Sequence, residues 1–313
     1  VSTKQINSLC NLSKSLCESK EIKQSLEEQN KQSFITALKK YPEKMKYYEE
    51  YLMKFGGRFA NELKLETSDI TEDFSTFSIM TLSYSNQEYI PNFQNPIKGK
   101  FFEKLFKKTA SRREDFRLLR ANMFAIIRKL SLHIGDCFVK KGFIEDRDDI
   151  FFLDIDSVSG TTPIRKIDFL NIRKMKREYS FFKTFHPPSH FKVENGKWSL
   201  LENEKSNSGN KGLGVSPGKI IGKAIILKKF EIPKKNSFDI IVTKRTDPGW
   251  TALMGLSKGI IVEYGGILSH ASIVARELGI PAVIGIKGAC EKYNTGDILF
   301  IDGEKGLVQK VEE

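Results

Sequence analysis

The segment "VEYGGILSHASIVARELGIPAVIG", residues 262–285, decides the fold of the second half of this chain. Its diglycine frees the backbone for a tight turn, and the run that follows has the apolar spacing of a helix. Gly279 predicts a helix C-cap, Pro281 prevents the helix from continuing, and "AVIGI" (282–286) is typical of a buried strand. The segment therefore predicts strand, glycine turn, helix and strand, with His270 in the first helical turn.

Short β-branched runs separated by two predicted helices surround this segment, which indicates a compact α/β domain over residues 213–313. Asp247 and Pro248 predict the N-cap and first residue of the helix "GWTALMGLS", which Gly259 closes. The predicted strands are "KAIIL" (223–227), "DIIVT" (239–243), "GIIVEY" (259–264), "AVIGI" (282–286), "DILFIDG" (297–303) and "GLVQKV" (306–311).

The first part of the chain has mostly helical patterns. Residues 1–55 predict two or three helices that end at a diglycine, and 101–142 is the longest helical pattern, with a break near Thr109. Gly142 predicts its C-cap, and 148–158 is typical of a short extended piece.

These patterns predict an α+β multidomain protein. A mostly helical N-terminal domain covers 1–190, and a compact β/α domain covers 213–313. Between them, 191–212 is polar and rich in Asn, Ser and Gly, so it predicts a hinge linker.

Composition excludes several classes of protein. The net charge is +12, but the lysines are scattered among acidic residues and lack interleaved stacking aromatics, so nucleic-acid binding is not expected. A basic surface that meets anionic nucleotides or another domain is expected instead. No apolar run reaches membrane-spanning length, and no signal peptide follows the initial Val, which suggests an excised or processed segment. The four cysteines lack metal-ligand spacing, so reduced thiols in a cytoplasmic protein without a metal site are expected.

The position of His270 suits a phosphohistidine. A neutral imidazole is a nucleophile near pH 7, and the free N–H groups and dipole of a helix N-terminus stabilise a phosphoryl anion there. Gly266, Ser269 and Ser272 can contact the phosphoryl oxygens, and Arg276 can brace the site. The alternatives stay open: His270 as a capping or packing residue, Ser269 as a helix cap, and Arg276 as a partner of a nearby acidic side chain.

Arg113, Arg117 and Arg120 lie at i, i+4 and i+7 of a predicted helix, where like charges repel and an anion would relieve them. The alternative is a solvated basic face beside Glu114 and Asp115.

Three further groups are candidates with structural alternatives. Arg58 and Glu62 form either a plain ion pair or part of the same pocket, and Thr246 can touch the phosphoryl group. The aromatics of "FFEKLF" and "SFFKTF" are expected in the core, with an acceptor pocket as the alternative. The other histidines are expected to be structural: His133, His186 and His190.

Three motifs in order, "GVSPGKIIGKAIIL", "TDPGWTALM" and "GGILSHASIVARELGIPAVIG", resemble the phosphohistidine swivelling domain of the phosphoenolpyruvate-utilising enzyme family. They cover nearly all of residues 213–312. In that family the histidine that matches His270 accepts a phosphoryl group in one active site, and the domain rotates to deliver it in another.

Two departures point to a branch of the family. Leu268 stands where Ser, Thr or Asn is usual, which resembles the rifampicin phosphotransferase branch. The chain also ends after the swivelling domain, where phosphoenolpyruvate synthase and its relatives continue into a barrel. Four stretches of the first domain resemble the helical substrate domain of that branch, and by position Arg113, Glu114 and Arg117 face the transfer site. Those stretches are "FGGRFANELKLE" (55–66), "RREDFR" (112–117), "DDIFFLDIDSV" (148–158) and "IRKMKREYSFFKTFHPP" (172–188).

The resemblance implies the C-terminal part of a dikinase-type phosphotransferase. ATP and Mg²⁺ on an ATP-grasp domain, fused upstream or acting in trans, would phosphorylate His270, and AMP and inorganic phosphate would be released. Arg113 and Arg117 would offset phosphate charge while Glu114 takes a proton from the hydroxyl of a small-molecule acceptor. No Walker-type glycine loop is present, so this chain alone is not expected to react with ATP. The alternatives are a phosphoenolpyruvate synthase-like activity on pyruvate, a non-catalytic phosphohistidine carrier or interaction module, and a structural protein.

Overall fold

The computed structural model describes residues 2–58, 63–85, 101–160, 166–184, 191–200, 210–233 and 238–311. It has an α+β architecture, as predicted. Within these ranges, none of the helices is both long and apolar enough to cross a membrane.

Among the described residues 2–58 and 63–85, five helices precede the long helix of the first half, where two or three were expected before residue 55. Four of them lie before that residue, because short breaks without glycine separate them. Asn30 accepts a hydrogen bond from the Ser33 N–H as an N-cap, and Pro42 occupies the first turn of the fourth helix. The helices are α1 (Ser2–Cys17), α2 (Lys20–Glu27), α3 (Lys31–Leu38), α4 (Pro42–Phe55) and α5 (Phe74–Ser85).

The long helix α6 (Phe101–Lys140) is continuous, so the predicted break near Thr109 is wrong. Helix-compatible residues surround that threonine, and no Gly or Pro interrupts them. Gly142 follows with a φ of +70°, as the C-cap prediction requires.

Residues 148–158 are not extended, contrary to the prediction. They form a 3₁₀ turn (Arg147–Phe152) and the short helix α7 (Ile155–Ser159). Aspartates cap both: Asp146 accepts from the Asp148 N–H at 2.8 Å, and Asp154 accepts from the Ser157 N–H at 2.7 Å. The apolar run was typical of a strand, but its flanking aspartates favour helical turns.

Helix α8 (Lys166–Thr184) carries part of the aromatic run that was expected in the core. Phe181 and Phe182 are instead 65% and 64% exposed, with their ring centroids 5.7 Å apart. Their helical spacing indicated a shared face but not what that face packs against. The side chains of "FFEKLF" (101–106) lie outside the described residues.

The predicted linker begins with regular structure. Strands β1 (Phe191–Glu194) and β2 (Lys197–Leu200) form an antiparallel hairpin, and Asn195 and Gly196 turn it with positive φ angles. Residues 201–209 lie outside the described ranges.

The second half forms a seven-stranded mixed sheet in the order β3-β7-β6-β5-β4-β8-β9. Its four central strands are parallel to one another, and the outer three pair antiparallel. The predicted strands are confirmed, and β3 is added at one edge. The strands are β3 (Leu213–Ser216), β4 (Lys219–Leu227), β5 (Ile240–Thr243), β6 (Gly259–Val262), β7 (Ala282–Ile284), β8 (Ile298–Asp302) and β9 (Leu307–Lys310).

Three short helices accompany the sheet, where two were predicted: α9 (Thr251–Met254), α10 (His270–Leu278) and α11 (Ala289–Lys292). Helix α9 ends at Met254, with Gly255 as its C-cap, before the predicted end at Gly259. Helix α10 has the predicted bounds, with Gly279 in the left-handed conformation.

The central strands β5, β6 and β7 are buried on both faces, which explains why they are nearly all apolar. Ile240 and Val242 pack with α11 on one face, and Ile241 packs with α10 on the other. The apolar cluster that contains Ile241 continues into helices α1 to α5. We call residues 210–311 the sheet domain and residues 2–125 the helical segment; the two therefore share one core. We call this packing the docked arrangement.

One close contact illustrates the docked arrangement. The buried Tyr84 hydroxyl donates to the Ala252 carbonyl at 2.6 Å. A Cβ atom at Gly255 would collide with that hydroxyl and lie 2.9 Å from Ile6 Cδ1. Glycine at this position therefore allows the two parts to approach closely.

The chain divides into two compact units, residues 1–125 with 209–313, and residues 126–208. The smaller unit has its own core around Ile150, and the Arg128 guanidinium lies 5.1 Å from the Phe151 ring centroid. The sequence-based boundaries, 1–190, 191–212 and 213–313, stay a prediction, because packing in one arrangement does not test which parts fold independently.

Candidate functional site

The candidate site lies where the parallel strands β5 and β6 end. Thr243 pairs with Val262 at the last register position, so the loops after both strands leave the same edge of the sheet. The Tyr264 N–H still donates to the Lys244 carbonyl at 3.0 Å, which keeps the loops together. Residues at this edge of parallel strands meet in space, which is why Thr246 reaches His270.

The two serines beside His270 hold the glycine turn. Ser272 is fully buried, and its hydroxyl donates to the Gly266 carbonyl at 2.8 Å. Because that proton is used, the Ser269 hydroxyl donates to Ser272 Oγ across 3.0 Å. Ser269 occupies the N-cap position but makes no capping hydrogen bond with its side chain. In this arrangement both hydroxyls fix the turn that presents His270, and their contact with a phosphoryl group stays a prediction.

Two charged side chains fix the same loop. The exposed Arg276 donates to the Ile267 carbonyl at 2.6 Å, in line with a bracing role. Glu263 is buried at the end of β6, where its Oε1 accepts from the Cys290 N–H at 2.7 Å. Contacts of Glu263 at its start and of Ile267 near its end therefore fix the loop that leads to His270.

Two threonine hydroxyls contact the His270 ring. Thr246 Oγ1 lies 3.0 Å from Nδ1, and Thr251 Oγ1 lies 3.2 Å from Nε2. The Thr251 hydroxyl also donates to the Pro248 carbonyl at 2.8 Å. Both ring nitrogens thus have hydrogen-bond partners within the sheet domain.

Sequence reasoning missed Thr251. It is fully buried at the start of α9, after a 3₁₀ turn (Pro248–Trp250) that Asp247 caps by accepting from the Gly249 N–H at 2.9 Å. The predicted N-cap at Asp247 is confirmed. This cap was the one feature of the sequence that could have pointed to Thr251. A capped turn reverses the chain, so the two threonines five positions apart can face one ring.

The environment keeps His270 neutral. Burial is the main cause that lowers its pKa from 6.5 to about 3, and the positive charges of Arg58 and Arg117 lower it further. At neutral pH the ring therefore has one protonated nitrogen and one lone pair, as a nucleophile requires.

Arg58 belongs to the helical segment. It follows α4 after the diglycine and is buried, with 3% of its surface exposed. A Cβ at Gly57 would lie 2.9 Å from both Ala125 Cβ and Asn122 Oδ1, so glycine lets the end of α4 pack against α6. This packing places the Arg58 charge where it acts on the His270 ring.

The structure brings four predicted site residues into one neighbourhood: His270, Thr246, Arg58 and the half-buried Arg117 of α6. Arg113 and Glu114 also lie on α6, but their side chains are outside the described residues, as is all of Glu62.

The structure describes one of the other three histidines. His133 is exposed on α6, and His186 and His190 lie outside the described residues. In the described ranges, no group of three or more His, Cys, Asp or Glu side chains is arranged to hold a metal ion.

Residues 236–306 match the family model described as "PEP-utilising enzyme, mobile domain". The chain is also similar to rifampicin phosphotransferase of Bacillus subtilis, with 29% identity over 60% of this chain and 22% of the relative. It is 29% identical to the uncharacterized phosphotransferase YvkC of Bacillus subtilis over 72% of this chain and 29% of that protein.

A third relative is more similar, over a shorter stretch. The probable phosphoenolpyruvate synthase of Pyrococcus horikoshii is 46% identical over 101 residues, which are 32% of this chain and 12% of that protein. The chain thus spans less than a third of the length of each of these relatives. The predicted resemblance is confirmed: the segment that matches the family model, residues 236–306, contains the glycine turn, α10 and His270.

Proposed function

We propose that this chain is the phosphohistidine part of a dikinase-type phosphotransferase, in which His270 receives a phosphoryl group and passes it to an acceptor hydroxyl. One observation carries the proposal. A neutral imidazole on the sheet domain lies within the electrostatic reach of two arginines from the helical segment.

Charge explains the pairing of these residues. The low pKa of His270 leaves it a lone pair at neutral pH, so it can attack phosphorus without first losing a proton to solvent. A phosphoryl group on the ring carries negative charge, which Arg58 and Arg117 offset. Cations placed where charge develops contribute more in a buried site than in water.

The P–N bond to His270 breaks and a P–O bond to the acceptor forms. The acceptor hydroxyl loses one proton, and the imidazole regains one. We assign the relay of this proton to Glu114, and a further charge-offsetting role to Arg113, from the family resemblance.

The phosphoryl donor in this proposal is ATP with Mg²⁺, held by an ATP-grasp domain outside these 313 residues, in the same chain or in trans. His270 gives up its ring proton when the phosphoryl group is loaded. The sheet domain then carries the group to the helical segment, and the hinge is placed in the predicted linker, 191–212.

The test is mass analysis of the longest natural form of the protein after incubation with ATP and Mg²⁺. We expect an acid-labile gain of one phosphate on the peptide that contains His270, and none in His270→Ala. No gain on this peptide, in a form with an intact ATP-grasp domain, would reject phosphohistidine chemistry.

A screen with hydroxyl compounds and pyruvate separates the enzyme from a carrier. Pyruvate belongs in the screen because of the 46% identity to a probable phosphoenolpyruvate synthase. Loss of phosphate from His270 to one acceptor supports the transferase, whereas stable phosphorylation with every acceptor supports a carrier or interaction module.

A further inference from the structure

The hydrogen bonds around His270 form a chain that ends at a backbone carbonyl. Thr246 Oγ1 lies 3.0 Å from Nδ1, Nε2 lies 3.2 Å from Thr251 Oγ1, and Thr251 Oγ1 lies 2.8 Å from the Pro248 carbonyl oxygen. A carbonyl oxygen only accepts hydrogen bonds, so this end fixes the direction of the chain.

Counting protons assigns the tautomer. A threonine hydroxyl has one proton, and Thr251 donates it to Pro248. Toward the ring, Thr251 Oγ1 therefore acts as an acceptor, and Nε2 must carry the ring proton. Nδ1 then has the lone pair, and it accepts from the Thr246 hydroxyl.

We propose that Thr251, oriented by the Pro248 carbonyl, locks neutral His270 as the Nε2–H tautomer in the docked arrangement, so that Nε2 cannot react with phosphorus until the lock opens. Thr251 is a positioning residue here. The inference rests on the proposed function only for its consequence, not for the tautomer itself.

The packing around Thr251 keeps its hydroxyl in the orientation that accepts from Nε2–H. Thr251 is fully buried, and the 3₁₀ turn that Asp247 caps holds the Pro248 carbonyl in place. A phosphoryl group on Nε2 would need the space that the Thr251 hydroxyl fills. The docked arrangement therefore fits discharged His270, and the ring must rotate out of the threonine pair to carry a phosphoryl group on Nε2.

The hydrogen bond from Nε2–H to Thr251 also favours forward transfer to the acceptor over the reverse reaction. After the P–N bond breaks, the imidazole regains a proton. Capture of Nε2–H by Thr251 then leaves no lone pair on Nε2 to attack the product, while the Nδ1 lone pair accepts from the Thr246 hydroxyl. Reverse transfer from a phosphorylated acceptor is slowed as long as the lock stays closed.

The tautomer is tested by nitrogen NMR of ¹⁵N-histidine-labelled protein at pH 7. The chain has four histidines, and His270→Ala identifies the signals of interest. We expect a protonated Nε2 and an unprotonated Nδ1 in the wild type. The Thr251→Ser variant, which keeps the hydroxyl, should retain this pattern, and Thr251→Val should shift toward a mixture of tautomers.

Thr246→Val is the matched control, because it removes the other hydroxyl and leaves the lock intact. It should keep Nε2 protonated. An Nδ1–H tautomer in the wild type, or an unchanged tautomer in Thr251→Val with a native amide spectrum, would overturn the proposal. If Thr251→Val does not give a native spectrum, the wild type and Thr251→Ser still decide it.

Reactivity gives a second readout. Phosphoramidate, which transfers its phosphoryl group to histidine nitrogen and releases ammonia, replaces ATP, so no nucleotide-binding domain is needed. We expect Thr251→Val to be phosphorylated on Nε2 about three- to ten-fold faster than the wild type, which corresponds to one hydrogen bond. Equal rates would reject the block. This result does not depend on whether ATP loads His270 in the longer protein.

Discussion

The sheet domain and the helical segment act on His270 in different ways. The sheet domain contributes neutral, short-range contacts: two threonine hydroxyls that hold both ring nitrogens. The helical segment contributes Arg58 and Arg117, which act on the ring through their charge. One part thus orients the His270 ring while the other changes its electrostatics, so variants of each part should affect different measurements.

The largest expected effect is the loss of transfer rate when an arginine of the helical segment is replaced. Arg58→Gln should slow transfer from phosphorylated His270 to an acceptor by about 100-fold, since one buried group that stabilises developing charge contributes about this much. Loading of His270 should change much less. The measurement is single-turnover loss of phosphohistidine in the longest natural form.

Arg112→Gln is the control for this variant, because Arg112 is an exposed arginine on α6. It should transfer at the wild-type rate. If both variants slow transfer equally, the effect is one of overall charge, and the assigned difference between the two parts is wrong.

The second effect tests the contact that joins the two parts. Gly255→Ala should lower the free energy of unfolding by up to about 3 kcal/mol, because the new Cβ collides with the buried Tyr84 hydroxyl. Gly266→Ala is the matched control for stability, since its Cβ would meet no atom within 4 Å. Denaturant unfolding measures both, and equal losses would show that the close approach at Gly255 does not limit packing.

The third effect is a dependence on pH. Unfolded histidine has a pKa near 6.5, whereas burial and the two arginines lower that of His270 to about 3. Between these values the unfolded chain binds a proton that the native state excludes, so stability is lost as pH falls below 6.5. The loss should be about 2 kcal/mol at pH 5.

This contribution is the difference in pH dependence between the wild type and His270→Gln. His133→Gln, at an exposed position, should keep the wild-type profile. Arg58→Gln should make the loss smaller, because one cause of the low pKa is removed. Parallel profiles for wild type and His270→Gln would contradict the buried, neutral ring.

The smallest effect concerns one hydrogen bond. Tyr84→Phe removes the donor to the Ala252 carbonyl and should lower the free energy of unfolding by about 1 kcal/mol. The ring still fills its place in the core, so the variant should keep its fold. Thermal unfolding of both proteins measures the change, and a stability equal to the wild type would show that water replaces the donor.

The sheet domain was predicted well because its central strands, β5 to β7, are buried on both faces. Such strands are continuous β-branched runs that stand out between glycines, as in "DIIVT" and "GIIVEY". His270 was found because the diglycine, the helix and Gly279 are local signals. Thr251 was missed because its role depends on the 3₁₀ turn and on the register of β5 and β6, which only the folded chain brings together.

The helical segment was harder to predict. An ion pair was the simpler interpretation of Arg58, and no local pattern shows that the chain after α4 faces His270. The exposed Phe181 and Phe182 show the same limit, since periodicity predicts a shared face but not its partner. The aspartates that cap the two helical turns of residues 147–159 were visible in the sequence. Their caps favoured helical turns more strongly than the apolar run between them favoured a strand.

The single core that joins the helical segment to the sheet domain makes docking sensitive to temperature. Separation would uncover apolar side chains such as Ile6 and the Tyr84 ring, which are buried together now. Burial of apolar surface near room temperature is driven by the entropy of water, and this drive weakens on cooling. Cold should therefore loosen the docked arrangement, so the fraction of molecules in which the two parts separate should rise as the temperature falls.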